Sequence, residues 1–237
     1  MQWPGLPDTP LTKGTLLKRY KRFLADIELE NGEVITAHCA NPGAMTGLKD
    51  PGLPAFLSKS DNPKRKLAYS LELLEVDGGL VGINTVHPNR IVEEALIAQT
   101  IPELASYTSV RREVKYGEKS RIDFLLEQEG LPNCYVEVKN VHLMRQPGLA
   151  EFPDSVTARG TKHLGELSKM VAEGHRAVML YLIQRTDCKT MAFAADIDPV
   201  YAETLEKVTK SGVELLCWDC AISPQEITLK SPVKIRL

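Results

Sequence analysis

The chain has 237 residues, of which 43% are hydrophobic and 25% charged, a balance that is typical of a globular protein and excludes a disordered or fibrous chain. Its net charge of −2 argues against a protein that binds polyanions over its whole surface, although a local basic patch is compatible with that sum. The five cysteines are scattered and odd in number, which indicates reduced thiols and not a disulfide framework.

The first third of the chain predicts a small closed β-barrel. From Gly14 to Asn84 apolar and polar residues alternate in five short runs, of which residues 16–29 form the first arm of a hairpin turning at Asn31-Gly32. Five short strands with glycine-rich turns are typical of an OB-fold, and an SH3-like barrel would give a similar pattern. We therefore predict an OB-type barrel over residues 1–84 and keep the SH3-like barrel as the alternative.

Two basic groups in this barrel indicate contact with nucleic acid. In the first group cations alternate with aromatic residues, and aromatic side chains can stack bases while cations hold phosphates. The alternative is a solvated strand on which at most one of Tyr20 and Phe23, three residues apart, faces the core. The predicted nucleic-acid contacts in the barrel are Arg19, Tyr20, Lys21, Arg22, Lys64, Arg65 and Lys66.

Residues 85–237 predict an α/β domain with a mixed sheet, so that the fold class is an all-β barrel followed by an α/β layer. Asn89 is the predicted cap of the first helix, Pro102 its stop, and a nearly continuous apolar run at 176–184 is typical of a central strand. The predicted elements are helix 89–100, strands 110–116, 120–130 and 133–139, a loop with two prolines at 143–155, helix 156–174, strands 176–184 and 190–197, helix 199–212 and strand 213–223.

Cys217 and Cys220 form a C-x-x-C pair within the last predicted strand. Such a pair is a zinc or redox signal only with a second ligand pair at suitable spacing or at the start of a helix, and the sequence offers neither. We predict that these cysteines are structural.

Three charged residues on neighbouring predicted strands carry the clearest chemical signal. Glu137 and Lys139 are two apart and share a face, whereas Val136 and Val138 point into the core, and Asp123 on the preceding strand can lie beside Glu137. Two carboxylates with the carbonyl oxygen of Val138 would offer hard ligands for Mg²⁺ or Mn²⁺. The alternative is an exposed strand face with alternating charges, stabilised by cross-strand pairs.

Helical residues on either side of these strands are candidates for the same site. Glu94, in the helix before them, is predicted to approach the metal, with an ordinary helix acid as the alternative. In the later helix, Arg159, Lys162 and His163 stand in the first turns, where free amides attract phosphate. His163 is a candidate for acid–base chemistry or for a structural hydrogen bond.

Several long motifs of the chain resemble the bacterial and archaeal sugar fermentation stimulation protein A family along almost the whole sequence. The most specific is FPDSVTARGTKHL at 152–164, and the others are HCANPGAM at 38–45, residues 83–85, 88–90 and 93–95, RIDFLL at 121–126 and VEVKNV at 136–141. The resemblance implies an N-terminal OB-fold, a restriction-endonuclease-like PD-(D/E)XK domain, sequence-non-specific DNA binding and a regulatory role in sugar, chiefly maltose, metabolism. It assigns Asp123, Glu137 and Lys139 to the nuclease-like motif and Glu94 to the upstream helix acid.

The sequence thus supports two main functions: a Mg²⁺- or Mn²⁺-dependent nuclease, and a catalytically silent DNA-binding regulator that uses the nuclease fold only for grip. A third alternative is an α/β protein that binds no nucleic acid. The pattern does not separate DNA from RNA, and a homodimer is an expected assembly because such nucleases often pair to cut both strands. Residues 1–20 lack the apolar core of a signal peptide, and no stretch approaches the roughly 18 to 20 apolar residues of a membrane span, so we expect a cytoplasmic protein.

Overall fold

The N-terminal part of the computed structural model, which describes residues 1–3, 10–117 and 120–237, is a closed β-barrel. Strands β1 to β5 close it in the order β1-β2-β3-β5-β4 and back to β1, while β6 extends the sheet as a hairpin on β5. This order is that of an OB-fold, so the OB prediction is confirmed over the SH3-like alternative. The strands are β1 Thr12–Tyr20, β2 Leu24–Leu29, β3 Val34–His38, β4 Pro54–Lys59, β5 Tyr69–Val76 and β6 Gly79–Gly82.

The first arm of the predicted hairpin is in fact two strands, β1 and β2. They are joined by a turn in which Lys21 and Arg22 have φ of 48° and 62°, and Tyr20 pairs with Leu24 across it. Residues other than glycine rarely adopt positive φ, so no local signal marked this turn. Neither Tyr20 nor Phe23 belongs to the barrel core, because the Tyr20 hydroxyl donates to Asp26 at 3.1 Å and Phe23 is 46% exposed.

The rest of the chain folds around a six-stranded mixed sheet of order β15-β14-β12-β9-β8-β7, in which β9, β12 and β14 are parallel. The central position of β12 and the mixed sheet were both predicted. A second sheet has the order β10-β11-β13-β16. The elements are α1 His87–Ile97, a 3₁₀ turn Pro102–Leu104, β7 Ser109–Tyr116, β8 Ser120–Glu127, β9 Cys134–Val141, β10 Leu143–Gln146, β11 Leu149–Phe152, α2 Ala158–Ala172, β12 Arg176–Ile183, β13 Thr190–Phe193, α3 Pro199–Lys210, β14 Glu214–Ile222, β15 Ile227–Pro232 and β16 Lys234–Arg236.

Three of the predicted details of this domain are wrong, and two of its strands were missed. The predicted loop at 143–155 contains the hairpin β10–β11, and the strands β15 and β16 were not predicted. Helix α1 begins two residues before Asn89, which therefore lies inside the first turn and does not cap it. The same helix ends at Ile97, so Pro102 begins the following 3₁₀ turn and does not end α1. Residues 118–119, between β7 and β8, lie outside the described residues.

The central sheet has a hydrophobic core on each face. One core contains α1 with Val136 and Val138, and the other contains α2 and α3 with Tyr181. Cys217 belongs to the second core and Cys220 to the first, because residues three apart on a strand face opposite sides. The two thiols therefore cannot converge on one ion, and all five cysteines are buried and free.

The barrel and the α/β layer are joined by direct hydrogen bonds. The Gly82 amide donates to the Gln184 carbonyl at 2.8 Å, and the Ala44 amide donates to Asp154 Oδ2 at 3.0 Å. A β-carbon at Gly43 would lie 2.5 Å from the same carboxylate oxygen, so only glycine permits this approach. These contacts account for two of the sequence motifs, 38–45 and 152–164, whereas the boundary at residue 84 stays a prediction.

The Asp154 carboxylate is expected to stabilise this junction in a pH-dependent way. Burial would raise its pKa, but the hydrogen bond and charge of His142 outweigh burial and lower it. A carboxyl group with a lowered folded-state pKa stabilises the fold above its unfolded pKa of about 4, and that stability is lost as the pH falls through the folded pKa. We expect Asp154→Asn to lower the free energy of unfolding by roughly 1 to 2 kcal/mol at pH 7.

Urea unfolding of the wild type and Asp154→Asn across pH 3 to 7 measures this contribution, with exposed Asp50→Asn as the control. The gap between wild type and Asp154→Asn should close in acid. A gap that stays constant with pH would mean that the carboxylate charge does not stabilise the junction.

Candidate active site

Strands β8 and β9 separate at Asp123, and this separation creates the site. The two strands pair from Leu126 opposite Cys134 to Phe124 opposite Val136. One residue further, the Asp123 carboxylate takes the place of a backbone partner, because its Oδ2 accepts the Val138 N–H at 2.8 Å. Its Oδ1 accepts a hydrogen bond from Asn89 of α1 at 2.8 Å. Asp123 is thereby fixed between the sheet and the first helix.

Glu137, on β9, is a buried carboxylate with 3% of its surface exposed. Its Oε1 accepts from Lys139 Nζ at 2.7 Å and from His163 Nδ1. Its Oε2 is buried and has no hydrogen-bond partner among the described residues. A buried unsatisfied carboxylate oxygen is costly, so this atom indicates a place for a water molecule or a cation.

Helix α2 brings its N-terminal half to the same group of residues. Thr157 caps the helix by accepting the Gly160 N–H at 3.1 Å. His163 is 4% exposed and lies between Glu137 and Arg159, whose Nε is 3.4 Å from His163 Nε2. Lys162 points to Ser120, with Nζ 3.2 Å from its hydroxyl. Of the three α2 residues predicted from sequence, His163 is therefore in direct contact with Glu137, and Arg159 contacts His163.

The sequence assigned no role in this site to three of its residues: Asn89, Tyr116 and Glu166. Glu166 is 3% exposed and neither of its oxygens has a hydrogen bond among the described residues, although Oε1 lies 3.4 Å from Lys162 Nζ. The Tyr116 hydroxyl is also buried without a partner. Glu166 stands three residues after His163, on the same helix face, so helical spacing could have indicated it. Tyr116 ends β7 and carries no comparable signal.

The two central carboxylates repel each other electrostatically. Burial, followed by the charge of Glu137, raises the pKa of Asp123. Burial would also raise the pKa of Glu137, but the hydrogen bond from His163 and the charge of Lys139 outweigh it and the pKa is lowered. Burial and then the carboxylates of Glu137, Glu166 and Asp123 raise the pKa of Tyr116. The site therefore contains an excess of buried negative charge, which a divalent cation would neutralise.

The donor set fits Mg²⁺ or Mn²⁺, because all its free donors are hard oxygen atoms. The fit rests on the unsatisfied Glu137 Oε2 and on Asp123, held beside Val138 by the backbone hydrogen bond. Within the described ranges, no group of three or more His, Cys, Asp or Glu side chains is already arranged as a metal site.

The structure does not bring Glu94 to this group. Its side chain is 54% exposed and its Oε2 lies 2.8 Å from the amino group of Met1. Glu94 and Asn89 are five positions apart in α1, and the structure has Asn89, not Glu94, in contact with Asp123.

The predicted barrel cations divide into tethered and exposed residues. Arg19 donates through Nη2 to the carbonyls of Arg22, Asn41 and Gly43, so its guanidinium holds a loop. Lys21 and Arg22 are exposed in the β1–β2 turn. Lys64, Arg65 and Lys66 are exposed in the β4–β5 loop. These are the two loops with which OB-folds bind oligonucleotides.

Comparison with known proteins gives consistent matches over both parts of the chain. Residues 86–226 match the family described as "Sugar fermentation stimulation protein RE domain", and residues 17–83 match "SfsA N-terminal OB domain". The chain is 57% identical over 229 residues to a "Sugar fermentation stimulation protein homolog" of Maricaulis maris, which covers 97% of both chains. It is 59% identical over 227 residues to the homolog of Rhodospirillum centenum, covering 96% of this chain and 97% of that relative.

A solved structure has the same fold. It is described as "The structure of Pyrococcus Furiosus SfsA in complex with Ca2+" and superposes with a TM-score of 0.87, at 24% identity and with full coverage of both chains. None of the described helices is long and apolar enough to cross a membrane.

Proposed function

The chain belongs to the sugar fermentation stimulation protein family, and from that premise we propose that it is a Mg²⁺- or Mn²⁺-dependent phosphodiesterase that cleaves DNA without sequence preference. One observation carries the proposal. Asp123 and Glu137 lie near enough to interact electrostatically where β8 and β9 separate, with Lys139 on Glu137 and a buried Glu137 oxygen that lacks a partner among the described residues. A protein that only gripped DNA would gain nothing from buried carboxylates facing phosphate.

Asp123, Glu137 and the Val138 carbonyl would hold the metal ion. When bound, it supplies Lewis-acid polarisation of the phosphodiester and lowers the pKa of a water molecule. The Ca²⁺ named with the Pyrococcus furiosus structure belongs to that protein, and Ca²⁺ prefers the same kind of oxygen ligands that Asp123 and Glu137 offer here.

Lys139, His163 and Asn89 have separate roles in this mechanism. The Lys139 ammonium can orient the attacking water and offset the charge that develops on the phosphate. His163 is a positioning residue, because it fixes the Glu137 carboxylate from the opposite helix. Asn89 positions Asp123 from α1 in the same way.

DNA would reach this site across basic loops. Lys21 and Arg22 in one OB loop and Lys64 to Lys66 in the other are exposed, and Arg159 and Lys162 flank the site on α2. Phosphate contacts of this kind fix the position of a strand without reading its sequence, which supports non-specific binding. RNA is a second polyanion that the same cations would hold.

A catalytically silent DNA-binding protein is the second candidate, and a specific observation favours it. Glu137 Oε1 already accepts from both Lys139 and His163, and the described residues contain no preformed three-ligand group. A role in sugar metabolism, a cytoplasmic location and a homodimer remain expectations, because no residue contact bears on them.

The Lys139→Met variant separates the two candidates. Wild-type protein is incubated with single-stranded DNA, duplex DNA and RNA in Mg²⁺, Mn²⁺ or EDTA. We expect cleavage only with a metal, and a loss of roughly 100-fold in Lys139→Met, the usual cost of removing one charge-stabilising donor. Binding of Mn²⁺, followed by calorimetry, should remain in this variant because Lys139 is not a ligand.

Lys210→Met is the matched control, since that lysine pairs with exposed Glu206 on α3. Salt-sensitive binding with no cleavage under any condition would establish the silent candidate. Glu94→Gln adds a separate arm: lost cleavage would support the role predicted from sequence, and full activity would support the surface ion pair with Met1.

A further inference from the structure

A polar cavity lies between the barrel and the first turn of α1, beside the carboxylate site but lined by other residues. It has a volume of about 330 Å³, within the range of small-ligand pockets. Strands β3, β4 and β5 supply one wall, and residues 84–90 supply the other. Nothing in the proposed hydrolysis uses it.

The floor of the cavity is a buried hydrogen-bonded group centred on Glu72, which is fully buried. Glu72 accepts hydrogen bonds from Ser58 at 2.6 Å, from Asn84 at 2.9 Å and from His87 Nε2 at 2.7 Å. His87 is 3% exposed, and its other ring nitrogen, Nδ1, has no partner among the described residues. The floor therefore offers an unused hydrogen-bonding atom to a ligand.

The rim of the cavity is cationic. Lys59, Arg65 and Arg90 are exposed lining residues, against one acid, Asp61. Arg65 Nη2 is held 3.0 Å from the Ser70 hydroxyl, and Lys59 Nζ lies 5.3 Å from the centre of the Tyr69 ring. Three cations around a polar pocket suit a phosphate group.

The cavity is flanked by an aromatic surface on one side and by the carboxylate site on the other. His38 lines the cavity and stacks on exposed Phe23, with ring centres 6.4 Å apart. Arg90 lines it from α1, and the preceding residue, Asn89, donates to Asp123. A strand stacked on Phe23 and His38 would therefore pass the cavity before it reached Asp123.

We propose that this cavity binds one unstacked nucleotide of a single-stranded nucleic acid, with its phosphate on Lys59, Arg65 and Arg90 and its base towards His87. A nucleotide inside a duplex could enter only after it had been unpaired and unstacked. A nucleotide of a single strand does not need to be unpaired, so its entry costs less free energy. The cavity thus selects single strands over duplexes. This inference rests on the proposed function, because it supplies the strand that the carboxylate site would cleave.

Binding measured in EDTA tests the cavity without any cleavage. Fluorescence anisotropy compares a labelled single-stranded oligonucleotide with the same sequence as a duplex, for wild type and for Arg65→Gln with Arg90→Gln. We expect the double variant to bind the single strand about 10-fold more weakly, and to reduce the slope of log K against log salt by about 1.4, or 0.7 for each lost phosphate contact. Duplex binding should change much less.

Two further variants test whether the loss of binding comes from the cavity or from a general loss of positive charge. Lys230→Gln with Lys234→Gln removes two charges on β15 and β16 and should leave the preference for single strands intact. Ser60→Leu narrows the cavity without changing charge and should weaken single-strand binding, provided that thermal melting shows a folded protein. Equal losses for single strand and duplex, or absent single-strand binding by the wild type, would overturn the proposal.

Competition separates a nucleotide site from a phosphate site. A 5′-mononucleotide should displace the oligonucleotide at a lower concentration than inorganic phosphate at matched ionic strength, and equal potency would overturn the proposal. The inference and the proposed function fail separately. Cleavage with normal binding in the double variant refutes the cavity, whereas cavity-dependent binding without cleavage refutes the nuclease.

Discussion

Replacing Asp123 by asparagine is expected to abolish metal-dependent cleavage while making the metal-free protein more stable to unfolding. A bound metal is worth several kcal/mol to phosphodiester hydrolysis, so losing one of the two proposed carboxylate ligands should cost about 10³-fold or more in rate. The neutral amide keeps an acceptor for the Val138 N–H, and Asn89 can rotate to meet it.

The gain in stability follows from the direction of the Asp123 pKa. Burial and the charge of Glu137 raise this pKa, so the folded state holds a proton more tightly than the unfolded state. Stability from this group is present below the unfolded pKa and is lost as the pH rises through the folded pKa. We therefore expect the Asp123 charge to destabilise the wild type at pH 7, and Asp123→Asn to remove that penalty.

Metal-dependent melting gives a readout independent of cleavage. A ligand at 100 times its Kd stabilises the folded state by about 2.7 kcal/mol, so Mn²⁺ should raise the Tm of the wild type but not of Asp123→Asn. Glu206→Gln, an exposed carboxylate on α3, is the control and should respond to Mn²⁺ like the wild type. A variant that still cleaves, or is still stabilised by Mn²⁺, would place the metal elsewhere.

Replacing Glu72 by leucine is expected to cause the largest loss of stability. The carboxylate is fully buried and receives hydrogen bonds from Ser58, Asn84 and His87, which join the barrel to the start of α1. Leucine fills a similar volume but leaves three buried donors unsatisfied. Removing one partner from such a buried group costs roughly 3 to 5 kcal/mol.

Urea unfolding at pH 7 measures the loss. In a chain of this size the Tm should fall by about 2 to 4 °C for each kcal/mol of unfolding free energy that is lost. Glu28→Leu, at an exposed position of β2, is the matched control and should change the free energy of unfolding by no more than about 0.5 kcal/mol. If the two variants lose equal stability, the Glu72 hydrogen bonds do not join the two parts of the molecule.

The proximity of Glu137 and Lys139 could be predicted because it follows from local strand geometry. The two-residue period of a strand puts Glu137 and Lys139 on one face, and the structure agrees. Glu94 illustrates the limit of such reasoning. Helical spacing alone could not tell which polar residue of α1 faces the sheet edge, since the contacts of Asn89 with Asp123 and of Glu94 with Met1 are between residues distant in sequence.

The same limit explains only some of the parts of the structure that were missed. The turn at Lys21 and Arg22 is imposed by barrel closure, against the intrinsic preference of both residues. The hairpin β10–β11 had a readable signal, because Pro147 and Gly148 form its two-residue turn, but the prolines suggested a loop. The hydrogen-bonded group around Glu72 could not be predicted from the alternation of apolar and polar residues. That alternation defined strand β5, and a buried carboxylate departs from it.

The burial of all five thiols has a consequence for how opening of the molecule can be followed over time. Cys39 lies in the barrel core, whereas the other four cysteines lie in the α/β part. Burial also raises the pKa of each thiol, to about 12 for Cys134 and Cys217, so the reactive thiolate is scarce in the folded state. The rate at which Cys39 is alkylated therefore reports transient opening of the barrel. The alkylation rates of the other four cysteines report opening of the α/β part separately.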